Sequence, residues 1–329
     1  MIVAPLKSSL QVSIIIILLL SIGLWCSTFL FVNTNPFIIN YKEHILYSYF
    51  FLNGFSPNVN QLINLGVILL GAFLVNFLAI EQEITAKTNY LPAFFYVLFA
   101  FSASTSAIVE PLLTANLFIL PALFYLINSY KKSEALTEFF KAGLFMGLAS
   151  FFCIHFIVIF PLSLIVLFIL RPFNWREWSI LLFGLCAPLY IFMCISYITT
   201  NEAFTVFNMM QEATSSLQMP IISEYYVCFI GIIIIGFLLA LLKYIGKGFG
   251  GKVKTQKTKY ILLWMFLLCL LMVFFEQMSD MILLPCIIPL CIILSDYIFD
   301  IKQLKIANTL LLLFLGSFSI IYLHAIGLI

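Results

Sequence analysis

Charge is the property this sequence has least of. Only 9% of its 329 residues are charged, against roughly a quarter in soluble domains, so a water-facing globule is excluded at the outset. Histidine is scarce, with 3 residues. The 8 cysteines fall within apolar stretches and form no Cys-x-x-Cys pair, so neither a zinc site nor a disulfide framework is suggested, and buried structural cysteine is the expectation. There is no Walker loop, dinucleotide fingerprint, His-Glu-x-x-His, Gly-x-Ser-x-Gly or DxD motif. Nucleotide-driven transport and soluble-cofactor redox chemistry are therefore disfavoured. No internal repeat and no separate soluble domain is visible, and no nucleic-acid partner is expected.

What fills the chain is hydrocarbon, with 64% hydrophobic residues. A membrane crossing needs about 20 mostly apolar residues, and such runs follow one another almost end to end. They are 12–32, 61–80, 90–109, 112–130, a pair within 139–170, then 179–199, 224–245, 260–275, 281–295 and 306–328. The fold class expected is all-α: a polytopic transmembrane helix bundle of about eleven hydrophobic segments, forming one transmembrane domain over 1–329. The run after Lys7 is too long for a signal-peptide core of about 7–15 residues and lacks a small-x-small exit, so it reads as an uncleaved first span.

Orientation turns on residues 139–170, long for one span and short for two. Gly143 and Gly147 permit close helix approach there, while His155 and Pro161 interrupt the run. Lys and Arg near span ends are retained in the cytoplasm. If 139–170 is a hairpin of two short helices, fifteen of the 16 basic residues fall inside and only Lys42 outside; a single crossing gives five against eleven. The hairpin is favoured, with the N-terminus inside and a multi-pass location in the cell inner membrane. The linker 246–259 reads as a flexible, lysine-rich inner loop drawn to anionic headgroups. The outer loops 33–60 and 200–222 carry apolar residues at helical spacing, suited to helices in the interface.

Glu110 joins two spans with almost no loop, and an ionisable group at membrane depth is a functional candidate. The competing reading is a helix boundary, since Pro111 suits a first helical position and an acid there complements the dipole. Glu43-His44 in the first outer loop can bind a divalent ion or act as a base, or belong to a solvated interfacial helix. Glu276 and Asp280 flank a turn before a span interrupted by Pro285 and Pro289; broken helices mark some transport sites. The run Arg171-Pro-Phe-Asn-Trp-Arg-Glu-Trp178 reads first as an interfacial anchor. His155 reads as a turn residue, and Asn64, Asn76 and Asn116 as glue between helices.

The order of parts in 12–199 resembles the core of C-class membrane glycosyltransferases, which use polyprenyl-phosphate sugars outside the cytoplasm. Glu110-Pro-Leu-Leu-Thr-Ala-Asn-Leu-Phe looks like their acid-led helix, and Lys141-Ala-Gly-Leu-Phe-Met-Gly-Leu-Ala-Ser like the segment that opens their short helix pair. Glu43, with Tyr47 four residues on, takes the place of the first-loop catalytic acid, usually aspartate there. Residues 200–329 would form a further span bundle. The chain, and its 170–178 run in particular, also resembles a bacterial family of multi-span inner-membrane proteins without an assigned activity. The glycosyltransferase resemblance implies envelope glycan assembly from a polyprenyl-linked sugar. Glu43 would be general base and Glu110 a second acid that binds metal or orients the acceptor. No cofactor is evident beyond a divalent ion, and the partners implied are membrane lipids and the polyprenyl-phosphate sugar. The alternatives are a non-catalytic subunit of an envelope membrane complex and a small-molecule or lipid transporter.

Overall fold

A computed structural model describes residues 10–30, 57–85, 89–103, 110–132, 134–200, 224–247, 252–272, 284–301 and 303–325. Those residues form eleven α-helices and one 3-10 turn, with no strand among them. In chain order they are α1 (Leu10–Leu30), α2 (Pro57–Glu81), α3 (Leu91–Ala103), α4 (Pro111–Asn128) and α5 (Leu136–Phe152). The 3-10 turn (Ile154–Ile159) leads into α6 (Phe160–Leu170), followed by α7 (Trp175–Thr200) and α8 (Glu224–Lys247). The last three are α9 (Val253–Met272), α10 (Ile287–Phe299) and α11 (Leu304–Ala325).

Local chemistry sets several of these boundaries. Helices α2 and α4 open on Pro57 and Pro111, where a missing N–H sacrifices no helical bond. The Leu91 N–H donates to Asn89 Oδ1 at 3.1 Å, which starts α3. The span expected at 281–295 is a helix over Ile287–Phe299. Pro285 lies in the turn ahead of it and Pro289 in its first turn, where proline is tolerated. One expectation needs correcting: the lysine-rich stretch is not loop throughout, because α9 is helical from Val253. Its lysines present long apolar stems that suit a helix crossing from interface to core.

The two short helices α3 and α10 pack on each other at the centre. Nearly every residue of both is buried, as suits helices that are apolar all round. Phe95 meets Phe314 of α11 edge-on at 5.6 Å, and Phe99 meets Phe229 of α8 at 6.0 Å. Beside this centre, α2, α4, α5 and α7 pack in sequence. The α5–α7 contact is backbone against backbone: a Cβ on Gly143 would enter the Leu181 carbonyl, and one on Gly184 the Phe140 carbonyl. At Gly147 a Cβ would lie 2.6 Å from the Leu185 carbonyl oxygen.

The ends of the 139–170 stretch lie together. Arg171, just past α6, donates from Nη2 to the Lys132 carbonyl, just before α5, at 2.6 Å. The chain therefore doubles back within the bundle, and the turn and α6 pack on α9. The exterior is apolar as well as the interior, with Leu19, Phe73, Phe183, Ile198 and Leu242 among the exposed large side chains. Three helical stretches, Asn58–Glu81, Pro111–Asn128 and Trp175–Ile195, are long and apolar enough to cross a membrane, and six shorter apolar ones accompany them.

Candidate functional site

The two ends of the bundle differ in chemistry. At one end the charges pair. Lys252 Nζ sits 2.8 Å from Glu83 Oε2, Lys243 Nζ 2.6 Å from Asp300 Oδ2, and Arg171 Nη1 3.2 Å from Glu177 Oε1. Lys132 binds Glu138 at the same end, Gln82 Nε2 donates to Asn128 Oδ1 at 2.9 Å, and Lys257 lies over the Tyr130 ring at 5.3 Å. Burial pushes the Glu138 carboxyl up, but hydrogen bonds from Lys132 and the Thr137 hydroxyl outweigh it and hold it below the usual carboxylate range. Within the 171–178 run, Phe173 and Trp175 are exposed, and Trp178 packs on Phe168 and Phe173 at 4.9 and 5.2 Å. Slightly deeper, Lys259 and Asp296 form a pair at 2.7 Å that both helices bury.

Glu110 lies at the other end of α4, about 27 Å away along an 18-residue helix. It is fully buried, with 0% exposure. Its backbone is extended and its carbonyl accepts the Thr114 N–H at 3.2 Å, opening the helix. Its side chain makes no capping bond. It does not accept a first-turn N–H as a capping acid would, but Glu110 does stand at the helix boundary ahead of Pro111, as the boundary reading expects.

The surroundings of Glu110 follow from helix register. Helices α2 and α4 run parallel with an offset of 46 at Gln82–Asn128, and Phe77 near Phe124 keeps it to within one residue. Carried back along both helices, that offset sets Glu110 level with Asn64. Asn64 and Gln61 are both buried, and the Gln61 carbonyl accepts Trp25 Nε1–H of α1 at 3.2 Å. Asn116, two turns below Glu110, donates from Nδ2 to the Leu284 carbonyl at 2.8 Å, tying α4 to the start of α10. The hairpin turn stops short of this level. Phe152 stacks on Phe118, 5.0 Å between centroids, which puts the end of α5 about 10 Å below the start of α4. His155 is buried in that turn, its Nδ1 3.8 Å from Cys153 Sγ.

Glu43, His44, Glu276 and Asp280 lie outside the described residues, as do residues 33–56 and 201–222 of the two outer loops. Sequence reasoning gave Gln61, the first residue of the 61–80 run, no role, whereas the structure buries it and has Trp25 donate to its carbonyl. It also missed Asp296, whose partner lies 37 residues away. Among the described residues no three His, Cys, Asp or Glu side chains gather as a metal site. Of the cysteines, Cys153, Cys269, Cys286 and Cys291 are buried, but Cys26, Cys186 and Cys194 lie on the apolar exterior. A carboxylate buried at the end of a span can exchange a proton or ligate a cation brought to it by a ligand.

Residues 37–328 match a family of unknown function, DUF6427, a match that takes in every described helix except α1. The chain belongs to that family. No curated protein and no solved structure matches it. In this DUF6427 member the matched region includes both ends of the bundle, so Glu110 and the ion-paired residues alike fall within it.

Proposed function

We propose that this protein is a multi-pass inner-membrane protein of envelope glycan assembly, in which Glu110 acts on a polyprenyl-linked sugar at the extracytoplasmic face. The observation that carries this reading is Glu110 itself, a carboxylate fully buried at the start of a span. Ionisable groups buried at membrane depth are costly to keep and are functional candidates for that reason. The orientation is supported by charge. The basic residues that pair, Lys132, Arg171, Lys243, Lys252 and Lys259, belong to one end of the bundle, and positive charge is retained in the cytoplasm. That end faces inward, the N-terminus is inside, and Glu110 faces out. The apolar exterior supports lipid as the surrounding solvent. The glycan substrate rests on the resemblance of 12–199 to C-class glycosyltransferases, with Glu43 as general base and a divalent ion as the natural companion of two acids.

Complementation decides between site and scaffold. In a strain lacking the protein, Glu110→Gln and Glu43→Gln should each abolish the glycan product while leaving inserted protein at normal levels. A double Gln variant that restores the full envelope glycan profile would exclude the catalytic assignment. Reporter fusions after Gly251 should score cytoplasmic and fusions near Ser215 extracytoplasmic. A second reading, a non-catalytic subunit of an envelope complex, is favoured by α7. Only 22% of its most apolar window is buried, which leaves a broad face for a partner helix. Copurification of a stoichiometric partner with the double Gln variant would support it.

A further inference from the structure

At the turn between α4 and α5 two lysines meet without an acid to pair with among the described residues. Lys131 Nζ lies 5.5 Å from the centre of the Tyr130 ring, and Lys257 Nζ of α9 lies 5.3 Å from the same centre. Two ammonium groups thus converge on one ring from different elements. The basic groups around them are each taken by an acid, Lys132 by Glu138, Arg171 by Glu177 and Lys252 by Glu83. Glu134, also beside this turn, is exposed and forms an ion pair with neither lysine. Lys254 stands one turn before Lys257 on the same face of α9 and adds to the positive charge. The turn itself is fixed. Lys131 has φ 60°, in the left-handed region that side chains rarely adopt. The Lys132 N–H donates to the Ser129 carbonyl at 3.3 Å, and the Lys132 carbonyl accepts Arg171 Nη2 at 2.6 Å. Glycine would make this turn with less strain but would bring no charge. Exposed apolar surface begins three residues before Arg171, at Phe168, which is 66% exposed.

We propose that Lys131 and Lys257 form a headgroup site for an anionic glycerophospholipid, whose phosphodiester they bind in the leaflet at the ion-paired end. A phosphodiester has two free oxygens, one for each ammonium, and its charge offsets the repulsion between the two cations. Net charge selects the occupant, because a zwitterionic head brings a cation of its own into a cluster that is already basic. The Phe168 surface selects a lipid over a free anion: acyl chains lie against it while the head sits beside Tyr130, an aromatic of the interfacial kind. The inference rests on the multi-pass reading but not on any chemistry at Glu110.

The test is native mass spectrometry of the detergent-purified full chain, titrated with phosphatidylglycerol and phosphatidylcholine of the same acyl chains. Both carry the phosphodiester, and only the first is anionic overall. Phosphatidylglycerol should bind more tightly. Lys131→Gly and Lys257→Gln should each weaken it about fivefold, the scale of one lysine at a headgroup, and change phosphatidylcholine little. Lys131→Gly should melt at the parent's temperature or above, which separates lost binding from lost folding. Lys305→Gln, at an exposed position of the same end on α11, should leave binding unchanged. Equal binding of the two lipids, an equal loss from Lys305→Gln and Lys257→Gln, or displacement of the bound lipid by millimolar inorganic phosphate would overturn the proposal. Failure of the multi-pass reading shows separately, as release of the chain from membranes by alkaline extraction.

Discussion

Replacing Lys259 with methionine would remove one half of an ion pair that α9 and α10 bury between them. The Nζ–Oδ2 distance is 2.7 Å and the side chains are 10% and 8% exposed. At an effective dielectric constant of about 20, two charges at that distance attract by about 6 kcal/mol. Desolvation offsets most of this, at several kcal/mol per ion, so the intact pair nets little. Asp296 also lies in the last turn of α10, where the helix carbonyls already carry partial negative charge. Removing Lys259 takes a paired cation away from a position where an acid is already disfavoured. Lys259→Met and Asp296→Leu should therefore each destabilise by about 3–5 kcal/mol, the usual cost of breaking a buried pair. The double variant should lie within about 1 kcal/mol of the parent, because an apolar pair of similar volume needs no desolvation. Thermal melts of purified protein in detergent, arranged as a double-mutant cycle, measure the coupling directly. A double variant that loses the sum of the two single losses would refute the reasoning.

The α5–α7 contact predicts that Gly143→Val and Gly184→Val each cost about 1–3 kcal/mol or more, since the obstacles are carbonyl groups that cannot rotate away. Gly66→Ala, with nothing within 4 Å of the added carbon, should be neutral or gain about 0.5–1 kcal/mol; detergent melts distinguish the two classes. Tyr96 is fully buried with its hydroxyl over Gly71 and no hydrogen-bond partner among the described residues. Tyr96→Phe should thus leave stability unchanged or raise it by up to about 1–3 kcal/mol, and a clear loss in the same assay would mean the hydroxyl is matched by a bound molecule. The Glu138 carboxyl, held below its ordinary range in the fold, contributes stability above the unfolded carboxylate range of about 4.3. That contribution is lost as pH falls through the lower folded value, and stays under about 1 kcal/mol because the pair is solvent-facing. Melts from pH 6 to 3 should show a smaller acid loss in Glu138→Gln than in the parent.

The helices were legible because apolar runs of bilayer length are the strongest signal a chain can carry, and each expected run overlaps a helix among the described residues. Boundaries were less so. Lysines at 254, 257 and 259 look like loop to any reading that equates charge with exposure, yet their stems run along α9, and Lys259 finds an acid that only tertiary packing brings within reach. Glu110 stood out because its spans leave no room for a solvated linker. Gln61 did not, since its burial depends on Trp25 of another helix. A groove between α1 and α2 was invisible for the same reason, since only the position of α1 supplies its second wall.

The distribution of polar contacts also determines where the bundle yields most easily. Among the described residues the ion pairs gather toward one end, joining α2 to α9, α8 to α10 and α9 to α10. Charge-assisted bonds of this kind are about twice as strong as neutral ones. Toward Glu110 the ties described between helices are neutral and single, Asn116 to the Leu284 carbonyl and Trp25 to the Gln61 carbonyl. Apolar contact adds to these ties, and in lipid it carries no penalty for exchanging a helix neighbour for an acyl chain. Among the described ties, those toward the buried acid are therefore weaker than those at the ion-paired end. Under the proposed function a lipid-linked sugar would reach Glu110 sideways from the bilayer, past these weaker described ties.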